Sequence, residues 1–135
     1  MSTAEQALES AILAVLAADE SVAAVLGDPM RVLEVESPRP AFPYLEIVRH
    51  QSVPAGSAGV EASEHRLDLA VVSRLDGGAG SLAAVGAIRS ALEAGELALG
   101  AWQCTLLAPV FVDTLREGAG RWRTVMRLKA IVEAV

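Results

Sequence analysis

The spacing Gly78-x-Gly80-x-x-Ala83 matches the glycine-rich turn that cradles the phosphates of a dinucleotide. In that motif the turn lies between a strand and a helix of a parallel βαβ unit, and the glycines let the backbone approach the pyrophosphate. Here the segment 74–76 separates the preceding strand from the glycines, and no parallel unit surrounds them. An ordinary turn before a helix is therefore favoured, with a small nucleotide-binding enzyme as the alternative.

Two histidines and one cysteine are the other residues that could bind a metal or act as a nucleophile. His50 lies where a predicted strand meets a loop, and His65 lies on the apolar face of the next strand. Neither has a second histidine or a cysteine at ligand spacing. Cys104 has no basic neighbour in the sequence that would activate it, so a small core residue is favoured over a nucleophile. We predict no catalytic residue, no metal and no cofactor.

Four bases follow one side of the last predicted strand, 121–133. The alternation places Trp122, Met126, Leu128, Ala130 and Val132 on one face and Arg121, Arg123, Arg127 and Lys129 on the other. Three interpretations stay open: a solvated face, cross-strand pairing with Glu64 or Asp68, and contact with an acidic partner such as the N-terminal helix of a neighbouring copy.

The net charge of −6 is concentrated at the start of the chain. Residues 1–36 hold seven acids against Arg31 alone, whereas residues 37–135 hold ten acids and ten bases. This acidic excess is either a solvated helix face or an acidic surface with a function. Either interpretation disfavours tight binding of nucleic acid by the whole chain.

The length of 135 residues predicts one domain over 1–135. Aromatic residues make up only 4% of a chain that is 53% hydrophobic, so the core must consist of small side chains, with apolar surface left for a partner. No apolar run approaches the roughly 20 residues of a membrane-spanning helix.

Periodicity and capping residues predict the order α-(α)-β-β-β-α-β-β. The helices are 4–17 after a Thr3/Gln6 capping box, a short one between Asp19 and Gly27, and 81–94 capped by Ser81; the strands are 31–35, 44–49, 64–73, 103–114 and 121–133. In 64–73 we expect His65, Leu67, Leu69 and Val71 on the core face, and in 81–94 a buried stripe of Leu82, Val85, Ile88 and Leu92. Pro109 implies a bulge or a sheet edge. The fold class is α+β, a mostly antiparallel sheet with helices packed on one face.

The segment 51–63 is small and polar, which predicts a flexible loop or a long hairpin tip. We expect it to contact a partner and to become ordered there. The suspected interface residues in it are Gln51, Ser52, Val53, Pro54, Gly56 and Gly59.

Four stretches together resemble one family: Ala-Phe-Pro-Tyr at 41–44, Glu-His-Arg-Leu-Asp-Leu-Ala-Val at 64–71, Leu-Ala-Leu at 97–99, and the closing strand through 122–130. In this order and spacing, over nearly the whole chain, they resemble the tail terminator (tail completion) proteins of long-tailed bacteriophages and phage-like gene transfer agents. The resemblance implies a subunit without catalytic residues that forms a hexameric ring at the head-proximal end of the tail tube, ends tube growth and joins the tail to the head connector.

The partners implied by the resemblance are five further copies of the chain, the tail tube protein and the head–tail connector (stopper) protein. DNA would pass through the lumen without specific binding, no membrane is involved, and the particle tail would be assembled in the bacterial cytoplasm. From the residues we expect the four bases of 121–133 to lie at a subunit contact or to be paired within the sheet. On the lumen they would hold passing phosphates. A monomeric adaptor is a further alternative.

Overall fold

Three helices cover one face of a four-stranded antiparallel sheet in a computed structural model, which describes residues 2–34, 37–56 and 59–135. The helices are α1 (Ala4–Ala17), α2 (Glu20–Leu26) and α3 (Ala79–Ala94), and the strands are β1 (Tyr44–Pro54), β2 (Ala62–Arg74), β3 (Trp102–Arg116) and β4 (Arg121–Ala134). The sheet order is β1-β2-β4-β3, with every neighbouring pair antiparallel. The predicted α+β class is confirmed.

Local capping chemistry sets the first two helices where the sequence predicts them. The amide of Gln6 donates to the Thr3 hydroxyl at 3.1 Å, and the amide of Thr3 donates back to the Gln6 side chain at 3.0 Å. Asp19 accepts from the amide of Val22 at 3.0 Å and so begins α2. Gly27 ends α2 with a φ of +90°, which favours glycine.

The core lies between these helices and the two central strands. Leu67 and Leu69 of β2 stand opposite Leu128 and Met126 of β4, and all four side chains are buried. Full burial of each such side chain contributes about 1.5–3 kcal/mol of transfer free energy. The predicted facing of both strands is therefore confirmed, including a fully buried His65.

The predicted strand 31–35 is reduced to one bridge. Val32 pairs in parallel with Leu45, and the amide of Leu33 donates to the Leu45 carbonyl at 2.8 Å. The amide of Ser37 donates to the Glu34 carbonyl at 3.2 Å, and among the described residues 31–34 only Val32 takes part in a bridge. Val35, the predicted end of that strand, lies outside the described residues.

Helix α3 begins two residues earlier than predicted, and Ser81 is not its cap. Gly78, with a φ of +90°, precedes the helix without a side-chain cap. The buried Ser81 hydroxyl donates to the Gly78 carbonyl at 3.1 Å and lies 2.8 Å from the Thr124 hydroxyl of β4. This contact turns the face of Ser81, Ala84, Val85, Ile88 and Ala91 towards the sheet. Leu82 is consequently 50% exposed, which contradicts its predicted burial.

The apolar face of the last strand predicts that Trp122 and Met126 both lie in the core; this is correct for Met126, which is fully buried, and wrong for Trp122, which is half-buried. The indole covers Gly78 at the start of α3, where an added Cβ would lie 3.2 Å from a ring carbon.

Candidate interaction surfaces

A ladder of charges crosses the outer face of the sheet, the face away from the helices. Arg127 of β4 donates to both carboxylate oxygens of Asp68 on β2, Nε to Oδ1 at 2.8 Å and Nη2 to Oδ2 at 3.1 Å. These are direct partners in the register, and the two-point bond fixes both side chains. The bond to Asp68 raises the pKa of Arg127.

Two further bases of the predicted row are also paired within the chain. Arg123 donates from Nε to Glu117 at 2.6 Å and reaches Glu46 on β1 at 3.5 Å. Burial opposes the charge of Arg123, but these carboxylates outweigh it and raise the pKa of Arg123. Lys129 lies 3.7 Å from Glu64. Cross-strand pairing with Asp68 or Glu64, the second of the three interpretations, therefore describes Arg127 and Lys129, whereas Arg123 pairs with Glu46 and Glu117.

Arg121 departs from this pattern. Its side chain lies at one end of the sheet with Arg39, Phe42 and Arg74, which line a cleft of about 240 Å³. Its Nε atom is buried and has no hydrogen-bond acceptor among the described residues. The four predicted bases therefore lie on the same face of the sheet, but within the described part of the chain Arg121 lacks the carboxylate partner that the other three have.

The predicted loop 51–63 is mostly the end of a long hairpin. Residues Gln51–Pro54 extend β1 and pair with Arg66–Ser63 of β2, so a flexible loop is wrong at these positions and the hairpin alternative holds. The connection is only 55–61, within which 57 and 58 lie outside the described residues. Gly56 is required there, because a Cβ would collide with the Val60 carbonyl oxygen, and Gly59 has a φ of +81°.

The end of this hairpin borders a second cleft. About 430 Å³ in volume, it is lined by the predicted interface residues Ser52, Val53 and Pro54, together with Glu5 of α1 and Glu61. The Val53 side chain is about half exposed. The interface role of these residues stays a prediction.

Strand β3 is a sheet edge that carries exposed apolar side chains. Leu106, Phe111 and Leu115 are 40%, 43% and 41% exposed, and all three lie on the outer face. The register shifts between Cys104 and Leu106 and again between Pro109 and Phe111, as Pro109 predicts. Bulges and proline hinder the addition of a further strand to this edge. A partner would therefore contact β3 through packing against these side chains more than through backbone pairing.

A hydrogen-bonded chain of four polar side chains links α1 to the central hairpin, and sequence reasoning missed it. Glu9 lies 2.7 Å from His50 Nδ1, His50 Nε2 lies 2.7 Å from His65 Nδ1, and His65 Nε2 lies 2.7 Å from the Ser63 hydroxyl. Burial and the neighbouring His50 lower the pKa of His65, against the opposing influence of Glu5. The pairing register of β1 and β2 is what could have revealed this chain of side chains. Because Ser52 stands opposite His65, His50 is the diagonal neighbour of His65 on the same face of the sheet.

The amides of the glycine-rich turn are occupied by the chain itself. The Asp76 carboxylate accepts from the amides of Gly78 and Gly80, each at 2.9 Å, and from the Ser73 hydroxyl at 3.0 Å. Partial burial opposes its ionisation, but these hydrogen bonds outweigh burial and lower the pKa of Asp76. A carboxylate therefore fills the place where a bound phosphate would accept.

The remaining candidate groups show no assembled site. Cys104 is half-buried, its thiol donates to the Leu106 carbonyl at 3.1 Å, and burial raises the pKa of Cys104. Within residues 2–34, 37–56 and 59–135 no group of three or more His, Cys, Asp or Glu side chains could hold a metal ion. No helix in the described part of the chain is long and apolar enough to cross a membrane.

Comparison with known proteins gives the function class that the site chemistry leaves open. A search of curated proteins finds no match. Among solved structures, the chain is similar to a chain of the "Virion of native gene transfer agent (GTA) particle", with 26% identity and a TM-score of 0.86 over 98% of this chain and all of that one.

A family model described as "Tail completion protein gp17" matches residues 10–133. Proteins of this kind are structural components of a virion. The protein therefore belongs to the tail completion protein gp17 family, and it is a structural tail protein, not an enzyme.

Proposed function

We propose that this protein forms a six-membered ring on the head-proximal end of a phage-like tail tube, where it stops tube growth and joins the tail to the head connector. The observation that carries the proposal is the match, over 98% of the chain, to a chain of a gene transfer agent virion. Its partners are then other copies of itself, the tail tube protein and the connector protein. Residues 1–135 act as one domain, and assembly takes place in the bacterial cytoplasm.

The surface chemistry supports a subunit of this kind. A ring subunit needs exposed apolar area for its neighbours, which the outer face of β3 supplies. The hairpin residues Gln51–Pro54 and the adjoining Gly56 and Gly59 are exposed and suit contact with the tube or a neighbour.

The charge distribution supports passage of DNA without tight binding. Arg123, Arg127 and Lys129 are paired with carboxylates of the same chain, so they have little capacity to exchange counterions with a phosphate backbone. Six copies with a net charge of −6 each would repel a polyanion in the lumen.

Deletion of the gene in a host that makes the particles tests the proposal. We expect tails of uncontrolled length that fail to join heads, and restoration of normal particles by the wild-type gene. Averaged electron micrographs of the restored particles should show a six-fold ring between tube and connector. Normal particles in its absence, a monomer at that place, or another symmetry would contradict the proposal.

A further inference from the structure

Three arginines meet around one aromatic ring at the end of the sheet. Arg74 ends β2, Arg121 begins β4, and the two are direct partners in the register. The guanidinium carbons of Arg39 and Arg74 lie 5.2 and 5.7 Å from the centre of the Phe42 ring. Like charges opposite each other destabilise a sheet, so this arrangement favours a negative partner.

Within residues 2–34, 37–56 and 59–135, these arginines have no carboxylate. No Asp or Glu oxygen of those residues lies within 4.0 Å of a side-chain nitrogen of Arg39, Arg74 or Arg121. The buried Nε of Arg121 has no acceptor there either. A buried charged donor is costly without an acceptor, and the Arg121 side chain that carries it lines the open cleft of about 240 Å³. We name these three arginines and Phe42 the arginine cleft.

We propose that the arginine cleft binds carboxylates of a neighbouring copy of the chain, an inference that rests on the proposed ring. A guanidinium group presents a planar fork of donors that matches the two oxygens of a carboxylate. The stacking of Arg39 and Arg74 on Phe42 holds their planes in place while their outer edges stay open. The net charge of −6 makes another copy a source of carboxylates and makes DNA a poor occupant.

The complementary surface lies at the opposite end of the same sheet. Glu5 and Glu61 line the cleft of about 430 Å³ beside the hairpin, which we name the acidic cleft. No Lys, Arg or His nitrogen of the described residues lies within 4.0 Å of either carboxylate. Each cleft therefore carries unpaired charge of one sign.

The two clefts cannot meet within one copy. Glu61 precedes β2 and Arg74 ends it, so the 13 residues of that strand hold them roughly 40 Å apart. A closed ring is built from heterologous contacts, in which every subunit presents two different and complementary patches. The arginine cleft and the acidic cleft are such a pair.

Charge reversal tests the pairing. Variant one is Arg74→Glu with Arg121→Glu, and variant two is Glu5→Arg with Glu61→Arg. Each alone sets like charges against each other at every contact, so we expect loss of rings in native mass spectrometry and loss of particles in a deletion host. The chain with all four changes, and an equimolar mixture of the two variants, restore opposite charges and should restore assembly. Thermal melts of each variant show that the subunit still folds.

The matched control is Arg49→Glu with Arg89→Glu, which changes the charge equally outside both clefts and should leave assembly intact. Normal assembly of variant one, or failure of the four-change chain to assemble although folded, would overturn the inference. If the wild-type assembly has a symmetry other than six and the four-change chain still restores it, the proposed ring size fails and the pairing stands. If the wild-type chain forms a six-fold ring but neither the four-change chain nor the mixture assembles, the pairing of the two clefts is contradicted and the proposed ring stands.

Discussion

His50 and His65 are joined by a hydrogen bond of 2.7 Å between Nε2 and Nδ1, on adjacent strands beneath helix α1. Glu9, 2.7 Å from the Nδ1 atom of His50, fixes the direction of the protons along this chain of groups. When both imidazoles are neutral, His50 donates to Glu9 and accepts from His65, which in turn accepts from the Ser63 hydroxyl. Each neutral imidazole has one donor and one acceptor role, and both are filled.

This relationship predicts a loss of stability on acidification. Burial, followed by the neighbouring His50, holds the pKa of His65 below its ordinary value of 6.5. Below about pH 6.5 the unfolded chain binds a proton that the folded chain does not, so the free energy of unfolding falls until the lowered folded pKa is passed. Urea denaturation at pH 7.5 and pH 5.5 should show a lower midpoint at pH 5.5.

The variant His65→Gln provides the control for that experiment, because it keeps a polar side chain at this position and removes the titrating group. We expect it to be less stable than wild type at pH 7.5 and to lose less stability on acidification. An identical pH dependence in the variant and the wild type would show that another group governs the response.

A second prediction concerns the two-point bond between Arg127 and Asp68. Asp68 is nearly buried, so Asp68→Asn leaves Arg127 without its charged acceptor and should lower the midpoint of urea denaturation. The double variant Asp68→Asn with Arg127→Gln should recover part of that loss, which a double-mutant cycle measures. The weaker contact of Arg66 with Glu64 at 3.6 Å is the control, and its removal should change stability by only about 0–1 kcal/mol. Simple additivity of the two single changes would contradict a direct bond.

The ion pairs of Arg123 and Arg127 within the chain change the result expected when both arginines are replaced by Glu. Before the contacts of Arg123 and Arg127 are known, reversal of both to Glu would be expected to block assembly of a folded subunit. With Glu46, Glu117 and Asp68 as their partners, each reversal places like charges in contact inside the chain. The double reversal should therefore lower the unfolding midpoint of the isolated subunit, which thermal melts measure. An unchanged midpoint would mean that these contacts add nothing to stability.

A further prediction ranks two residues of the sheet, Met126 of β4 and Val110 of β3. Met126 is fully buried, so Met126→Ala should lower the free energy of unfolding by about 2–5 kcal/mol. Val110→Ala on the exposed edge should change it by no more than about 0.5 kcal/mol. Urea denaturation measures both. Equal effects would place Met126 outside the core and reverse the register of β4.

Local signals in the sequence predict much of this fold, and contacts between distant residues account for what they miss. The Thr3/Gln6 box and Asp19 act on amides within three residues, so α1 and α2 could be placed from the sequence. The start of α3 depends on Ser81 meeting Thr124, 43 residues away, and no local pattern reports that contact. The arginine cleft was missed for the same reason, because Arg39, Arg74 and Arg121 come from three separate segments.

The last prediction concerns the apolar outer face of β3. Leu106 and Leu115 are about 40% exposed, stand on either side of Phe111, and are not part of the described core, so they add little to the stability of the subunit. If they pack against a neighbouring copy, Leu106→Ser with Leu115→Ser should leave the thermal melt nearly unchanged and weaken ring assembly in native mass spectrometry, because burial of these side chains would be lost only in the assembly. The control, Val48→Ser with Leu82→Ser, removes two apolar side chains that are more exposed and belong to β1 and α3, and it should assemble normally. Equal weakening by both pairs would point to a general loss of apolar surface, and normal assembly of the β3 variant would remove this face from the interface.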